Sequence, residues 1–479
     1  MVNEHEYDLV VIGSGPAGEK GAAQAAYFGK RVALIEKEPV LGGAAANTGT
    51  LPSKTLRETS VFLSGFRHRE LEGVDFRGLK EHVTVDQFLC RAEIIKQRER
   101  IRIGENLGRH HVSMYQGTAA FKDPHTISVR GKDGGQTCLS GDIIMIATGS
   151  SPHRPPEFQF TDRRIYDSDS ILTLREVPPT MLVAGGGVIG SEYACMFAEL
   201  GVQVTIVEKR DRLVGFLDNE IGDALQTAML SMGVNLLTGD AIDTLHYESD
   251  RIVVRLHSGK TIPTHAILVS SGRAGNTSGL NLEPLGIQVD RRGRIQVNEY
   301  YQTTVPNVYA AGDVIGGPSL ASTSMQQARV AMVHAFNLQY LKSLPQVLPY
   351  GIYTIPECSM AGETEESLCQ KGIAYLVGKA SFASNARGQI VGDPAGFLKL
   401  LFRKDDMQLA GVHIIGEQAT ELVHIGLTAI MMGAGADLFI NTCYNYPTLG
   451  EMYKYAAYDA LGQRNREPAE GDASPGFRH

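Results

Sequence analysis

A doubly wound α/β chain that repeats one strand, glycine turn, helix, strand unit is predicted by three observations. The stretches "YDLVVIGSGPAGEKGAAQAAYFGKRVALIEKE" and "TMLVAGGGVIGSEYACMFAELGVQVTIVEKRDRL" share that order of elements. The third observation is size: 479 residues exceed what one hydrophobic core organises, so two to four domains are expected. With 43% hydrophobic residues, 20% charged residues and 53 glycines, the chain reads as globular and turn-rich, neither disordered nor fibrous.

In the first unit an apolar strand over residues 9–12 runs into Gly13-Ser-Gly15-Pro-Ala-Gly18, a helix of small residues, and a strand over residues 32–35 that ends in Glu36. Gly13 allows the tight turn, Gly15 lets the backbone approach a pyrophosphate, and Gly18 lets helix and strand pack closely. The pyrophosphate is expected on the helix N-terminus, where free N–H groups and the dipole favour an anion. Glu36 stands about 20 residues past the glycines, as expected of a carboxylate that accepts from ribose hydroxyls.

The next element, "LGGAAANTGTLPSK", is a Gly-Gly turn leading into a helix start. "IIMIATGSSP" follows as an apolar strand ending in small turn residues, where a doubly wound sheet presents its ligand loops. The second unit repeats the first with Gly185, Gly187 and Gly190, and its second strand, residues 204–207, ends in Glu208. Two such units imply two dinucleotides. "VPNVYAAGDVIGG" is another strand end, and Asp313 in it can accept from a polyol hydroxyl or serve as an Asx turn residue.

Bulk features exclude several functions. A net charge of −8 offers no field for nucleic acid or an anionic membrane surface. The acidic start "MVNEHEYDLVVIG" runs straight into a strand with no secretory or transit signal, which points to the cytoplasm. The most apolar stretch, residues 422–440, is interrupted by His424, Asp437 and glycines, and reads as a packed or interface helix instead of a membrane span. Six scattered cysteines suggest buried, reduced thiols, and neither they nor the 14 histidines show metal-ligand spacing, so no metal is expected.

The segments "GSGPAGEKGA", "LGGAAANTGTLPSK", "ATGSSP", "GGGVIGSEYA", "SSGRAGNT", "AAGDV" and "NYPTLGE" stand in the order and spacing of the FAD-dependent pyridine nucleotide-disulfide oxidoreductases. The resemblance spans essentially the whole chain. It implies two Rossmann-like domains, for FAD and NAD(P)H, plus a C-terminal α+β dimerisation domain, hence a homodimer with flavin sites near the interface. The implied bounds are 1–152 and 274–344 for the FAD domain, 153–273 for the NAD(P)H domain and 345–463 for dimerisation. The tail 464–479 lacks apolar periodicity and is expected to be disordered.

The resemblance also assigns residues. FAD contacts are implied at Gly13, Gly15, Gly18, Glu36, Lys37, Gly43, Thr50, Lys54, Gly149, Asp313 and Ala321, the last opening a helix aimed at the flavin. Nucleotide contacts are implied at Gly185, Gly187, Gly190, Glu208, Lys209, Arg210 and Gly272. Lys54 and Glu192 match the family's ion pair beside the flavin N5. In disulfide-reducing members two cysteines occupy the places of Ala45 and Thr50, and a histidine that of Tyr446, oriented by the glutamate matching Glu451. A methyl and a hydroxyl cannot relay electrons to a disulfide. The whole dithiol relay is missing, and Glu451 is left with nothing to orient in the usual way.

Within the family the chain most resembles the soluble pyridine nucleotide transhydrogenases, which share "NYPT" and "YDSDSIL". That branch keeps a cysteine where this chain has Ala45, a thiol that hydride exchange between nicotinamides does not need. The resemblance implies ping-pong hydride transfer between NADPH/NADP+ and NAD+/NADH, with Tyr446 of the partner subunit filling the vacated space or simply packing at the interface. Glu208 favours a ribose 2′-hydroxyl, whereas Lys209 and Arg210 could clamp a 2′-phosphate, leaving a dual or a strictly NADH-dependent site open. The alternatives are an NAD(P)H reductase passing electrons to a quinone, metal ion or oxygen, a non-catalytic FAD- and NAD-binding sensor, and, remotely, thiol chemistry at Cys195 or Cys443.

Overall fold

The computed structural model describes residues 4–64, 84–340 and 343–466. Among these, a seven-stranded sheet forms the base of the first unit. Ser113–Gln116, Val32–Glu36, Glu4–Ile12, Gln136–Ile146 and Val308–Ala310 lie parallel in that order. Thr126–Arg130 and Thr118–Asp123 add an antiparallel edge. Leu9, Val11 and Leu34 pack under the helices on one face, and Val10, Ile12, Ala33 and Ile35 fill the other. Burial on both faces is why these strands read as unbroken apolar runs. The first strand starts at Glu4, earlier than its apolar run, because Glu4–Tyr7 continue the ladder to residues 138–141.

The second unit is a five-stranded parallel sheet in the order Asn235–Thr238, Gln203–Glu208, Thr180–Ala184, Ala266–Val269, Ile165–Asp167. A three-stranded meander, Ile242–Tyr247, Ile252–Leu256 and Thr261–Thr264, caps it. The chain passes between the units twice, and the two crossings pair antiparallel, Ser150–Pro152 with Arg273–Gly275.

The C-terminal part is an antiparallel five-stranded sheet ordered Tyr350–Ile352, Cys358–Gly362, Leu409–Ile415, Phe397–Arg403, Tyr375–Ser381. The apolar stretch 422–440 is not one helix but two, Ala419–Met431 and Ala436–Asn441, separated where Gly433 takes φ 63°. Among the described residues no helix is long and apolar enough to cross a membrane. Ile425, Met431, Met432, Leu438, Tyr446, Tyr455 and Tyr458 are exposed on this part. The last helix, Met452–Arg466, runs into the segment expected to be disordered, and the remainder of that tail lies outside the described residues.

Buried ion pairs join this sheet to the rest. Arg57, 2% exposed, places Nη1 3.1 Å from Glu357 and donates through Nε to Thr354 O. Asp218, Glu220 and Glu365 converge closely enough for one cation, and the buried Lys399 ammonium fills that place, 2.7 Å from Asp218 and 3.1 Å from Glu220. All six cysteines are free thiols. The expectation that they are buried needs correction: Cys138, Cys195 and Cys358 are, but Cys90, Cys369 and Cys443 are exposed. Cys90 and Cys369 sit on helices that bury only one face, and thiol chemistry does not choose the face.

Candidate functional site

At the first glycine turn Gly13 takes φ 104° and donates its N–H to Ile35 O. A Cβ there would lie 2.4 Å from Ala147 O, and one on Gly18 would lie 1.8 Å from Gly13 O. Only glycine closes this crossing of strand and helix. Gly15 caps the helix Pro16–Tyr27 without any side-chain cap, so its first N–H groups remain available to an anion. Glu36 is 7% exposed and accepts from Ser14 N at 3.0 Å, Ser14 Oγ at 2.6 Å and Glu38 N at 2.9 Å. Ser14 Oγ in turn accepts from Gly42 N, which brings the Gly-Gly turn over the first glycine turn. The approach is close: a Cβ on Gly43 would meet Gly15 Cα at 2.9 Å.

Around this cradle the structure gathers Thr148, Gly149 and Asp313. Thr148 Oγ1 is buried with no hydrogen-bond partner among the described residues, Gly149 takes φ 68° with no protein atom near its Cβ position, and Asp313 Oδ2 accepts from Ser150 Oγ at 2.8 Å. Ala321 opens the helix Ala321–Ala335, whose N-terminus also lacks a side-chain cap. Glycines that a Cβ would block, an orphaned hydroxyl and two uncapped helix starts fit a phosphate-bearing dinucleotide with polar groups to satisfy. Lys37 stands apart from them, 59% exposed and 4.0 Å from Glu38.

The helices Thr50–Ser64 and Val188–Glu199 pack together, and between them Lys54 Nζ donates to both Glu192 oxygens, at 2.9 and 2.7 Å. Glu192 is 3% exposed and Lys54 25%. Residues 138 positions apart in the chain thus form a shielded pair whose Coulomb energy water does not fully screen. The sequence did not reveal a third member. Tyr353 N donates to Glu192 Oε1 at 2.9 Å, and its ring centroid lies 4.9 Å from Lys54 Nζ. A backbone donor leaves no mark in a residue pattern. Thr50 begins the helix as an exposed residue, and Ala45 lies in the short helix Gly43–Asn47.

The second glycine turn repeats the first. Gly185 takes φ 110° and donates to Val207 O, and a Cβ on Gly190 would lie 2.0 Å from Gly185 O. Gly187 caps its helix with open space above it. Glu208 accepts from Gly186 N at 2.7 Å, Arg210 N at 3.0 Å and Arg210 Nε at 3.0 Å. Arg210 is therefore folded back on Glu208 instead of standing free as a phosphate clamp, while Lys209 is exposed. Burial alone would raise the Glu208 carboxyl, but the hydrogen bonds from Arg210 and Gly186 outweigh it and hold the group below its ordinary value. Gly272, φ 100°, accepts from His153 N where the two crossings run side by side.

Tyr446 and Glu451 lie on the C-terminal part, away from this pair in sequence and fold. Tyr446 is 73% exposed. Glu451 is not without a partner: Tyr455 Oη, one helical turn on, donates to it at 3.3 Å. The i to i+4 spacing on a helix supplies the substitute.

Paired cradles for two dinucleotides, with a shielded lysine–glutamate pair between the helices Thr50–Ser64 and Val188–Glu199, define a flavin- and nicotinamide-dependent oxidoreductase. The chain belongs to the pyridine nucleotide-disulphide oxidoreductase family, which it matches over residues 7–328, and its residues 348–457 match that family's dimerisation domain. It is accordingly an FAD-dependent enzyme that uses NAD(P)H and forms a homodimer. It is 44% identical over 459 residues to the soluble pyridine nucleotide transhydrogenase of Mycobacterium bovis (strain BCG / Pasteur 1173P2), covering 96% of this chain and 98% of that one. To the protein of that name from Hahella chejuensis it is 43% identical, covering 96% and 99%. Among solved structures, LpdA (Rv3303c) from Mycobacterium tuberculosis superposes with a TM-score of 0.87 at 26% identity, covering 95% and 99%. The Cu(II) complex of the HOCl-induced flavoprotein disulfide reductase RclA from Escherichia coli gives 0.85 at 27%, with the same coverage.

Proposed function

We propose that this enzyme is a transhydrogenase that moves hydride between NADPH/NADP+ and NAD+/NADH. The observation that carries the reading is the intact Lys54–Glu192 pair beside a segment in which Ala45 and Thr50 offer no thiol. The hydride machinery is kept while the dithiol relay is gone. Relatives at 41–44% identity named for that activity support it.

Gly13, Gly15, Gly18, Gly43, Thr148, Gly149 and the helix starts at Pro16 and Ala321 would hold FAD, with Glu36 keeping Ser14 in place and Asp313 accepting from a polyol hydroxyl. Bound FAD supplies a two-electron carrier able to accept a hydride from one nicotinamide and return it to another. Lys54 presents its ammonium at that junction, and Glu192, held by Tyr353 N–H, keeps the lysine side chain in one orientation. Gly185 and Gly190 close the second turn so that the helix start at Gly187 receives the nucleotide pyrophosphate. Glu208 accepts from a 2′-hydroxyl, and Arg210, already turned toward it, offsets the charge that would repel a 2′-phosphate. The two nucleotides then use one site in turn. Domain bounds at 1–152, 153–273, 274–344 and 345–463 follow this division of labour, and the reaction is assigned to the cytoplasm.

Anaerobic addition of NADPH to the FAD-loaded protein should bleach the flavin, and thio-NAD+ should then restore its colour while forming the reduced thionicotinamide band. Bleaching by NADH alone, reversed only by a quinone or oxygen, would replace this reading with an NADH:acceptor reductase.

A further inference from the structure

The acidic turn in "YDSDSIL" holds both chain crossings between the two dinucleotide units. Arg154 follows the outgoing crossing and Arg273 opens the returning one. Arg154 Nε and Nη2 each lie 2.7 Å from Asp167 Oδ2. Arg273 Nη1 lies 3.3 Å from Asp169 Oδ1 and donates to Ser168 Oγ at 3.3 Å. The turn is stiff: Asp167, with no side-chain exposure, accepts from Asp169 N at 3.0 Å and Ser170 N at 2.7 Å through Oδ1. A carboxylate that accepts two backbone N–H groups and a guanidinium cannot swing freely.

Arg273 also reaches the other way. Its Nε donates to Ser150 Oγ at 2.8 Å, its Nη2 to Ser150 O at 2.7 Å, and Ser150 Oγ donates to Asp313. A continuous hydrogen-bonded chain thus runs from Asp169, beyond the edge strand of the second sheet, to Asp313 in the flavin cradle. Tyr193, the residue after Glu192, points its hydroxyl at Ser168 O of the same turn, 3.5 Å away.

We propose that Asp167, Asp169, Arg154 and Arg273 form a clasp that sets the angle between the two dinucleotide units, and that Arg273 is a positioning residue for hydride transfer. A nicotinamide carried by one unit must meet a flavin carried by the other at a separation of about 3–3.5 Å, and a shift of 1 Å costs up to about 100-fold in rate. The crossings are the covalent hinge between those units, so restraining both of them from one rigid turn limits that shift. The inference rests on the hydride-transfer reading but not on which nucleotide accepts in the end.

The experiment compares full-length, FAD-loaded Asp169→Asn, Arg273→Met and Arg273→Lys with the parent enzyme. It uses whichever nucleotide bleaches the parent flavin. Asp169→Asn should lower the single-turnover bleaching rate at saturating nucleotide about tenfold, with KM and FAD content within about twofold. Arg273→Met should do the same and also shift the absorbance maximum of the bound flavin, because Ser150 and Asp313 lose their anchor. Arg273→Lys restores a charge but not the fork, and should recover part of the rate. Folded variants with a lower Tm but unchanged saturated rates would overturn the clasp, and so would a raised KM at constant kcat. Asp169 is partly exposed, so its variant carries the test if Arg273→Met does not fold. Failure of the transhydrogenase reading appears separately, as a parent enzyme that bleaches but is not reoxidised by thio-NAD+.

Discussion

A Cβ on Gly15 of the first glycine turn would touch Gly43 Cα at 3.9 Å, beneath a second Gly-Gly turn, whereas one on the equivalent Gly187 would meet nothing within 4 Å. The two turns share strand, helix and terminal acid, and their crossing glycines are equally intolerant of a side chain. Their surroundings differ. Glu36 is satisfied by Ser14 and Glu38 and forms no ion pair among the described residues, while Glu208 shares its oxygens between Gly186 and Arg210. A cradle roofed by a second glycine turn suits a group that stays, and an open one with an adjustable charge suits a nucleotide that comes and goes. The same backbone motif therefore serves a cofactor or a substrate according to what the rest of the chain lays over it.

The largest effect expected from this contrast is at the roof. Gly43→Ala puts a side chain at φ 54° and into the Gly15 backbone, a strain of about 1–3 kcal/mol, so FAD retention after dialysis should fall at least tenfold. Gly187→Ala adds a methyl that meets no protein atom, at an ordinary φ of −74°, but on the helix start that receives the nucleotide. It should leave FAD content intact but raise the nucleotide KM about tenfold, because the methyl sits where the pyrophosphate approaches the helix start. Equal losses of FAD in the two variants would erase the distinction.

A smaller effect is expected at the adjustable charge. Arg210→Ala leaves Glu208 facing a 2′-phosphate without its counter-ion, and charged hydrogen bonds are worth about 1.5–3 kcal/mol. The KM for NADPH should rise about tenfold or more while that for NADH moves by less than about threefold, a divergence that steady-state assays with each nucleotide resolve.

The smallest effect concerns pH. The Glu208 carboxyl is held below its ordinary value of 4.5, so the interactions of its charged form are fully present above that value. They are lost only as pH falls through the lower folded value. NADH affinity, followed by fluorescence quenching, should stay flat from about pH 8 to about pH 5. A Glu208→Gln variant should bind more weakly across that range with no change of slope.

Much of the site was legible in the chain. Gly13, Gly18, Gly185 and Gly190 announce themselves because no other residue survives those backbone crossings, and strands buried on both faces must be apolar throughout. Lys54 and Glu192 were legible only through family resemblance, since nothing local tells a lysine in one helix that it meets a glutamate in another. Other contacts left no trace. Tyr353 acts through its N–H, Arg210 could equally have pointed outward, and Tyr455 replaced the partner that Glu451 lacked by lying one turn away. The exposed Cys90, Cys369 and Cys443 show the same limit, because a thiol packs or faces water according to helix orientation alone.

By itself the sequence determined two dinucleotide cradles, an acid at the end of each second strand and the absence of thiols at positions 45 and 50. These are consequences of backbone sterics and side-chain chemistry, which act over a few residues. Only the tertiary structure decided which cradle is roofed, where Arg210 points, and that Arg154 and Arg273 close on one acidic turn. The partners lie 2 residues apart for Arg210 and Glu208, 28 for Gly42 and Ser14, and 105 for Arg273 and Ser168, and at every one of these separations the contact is chosen by how the fold packs and not by the residue pattern.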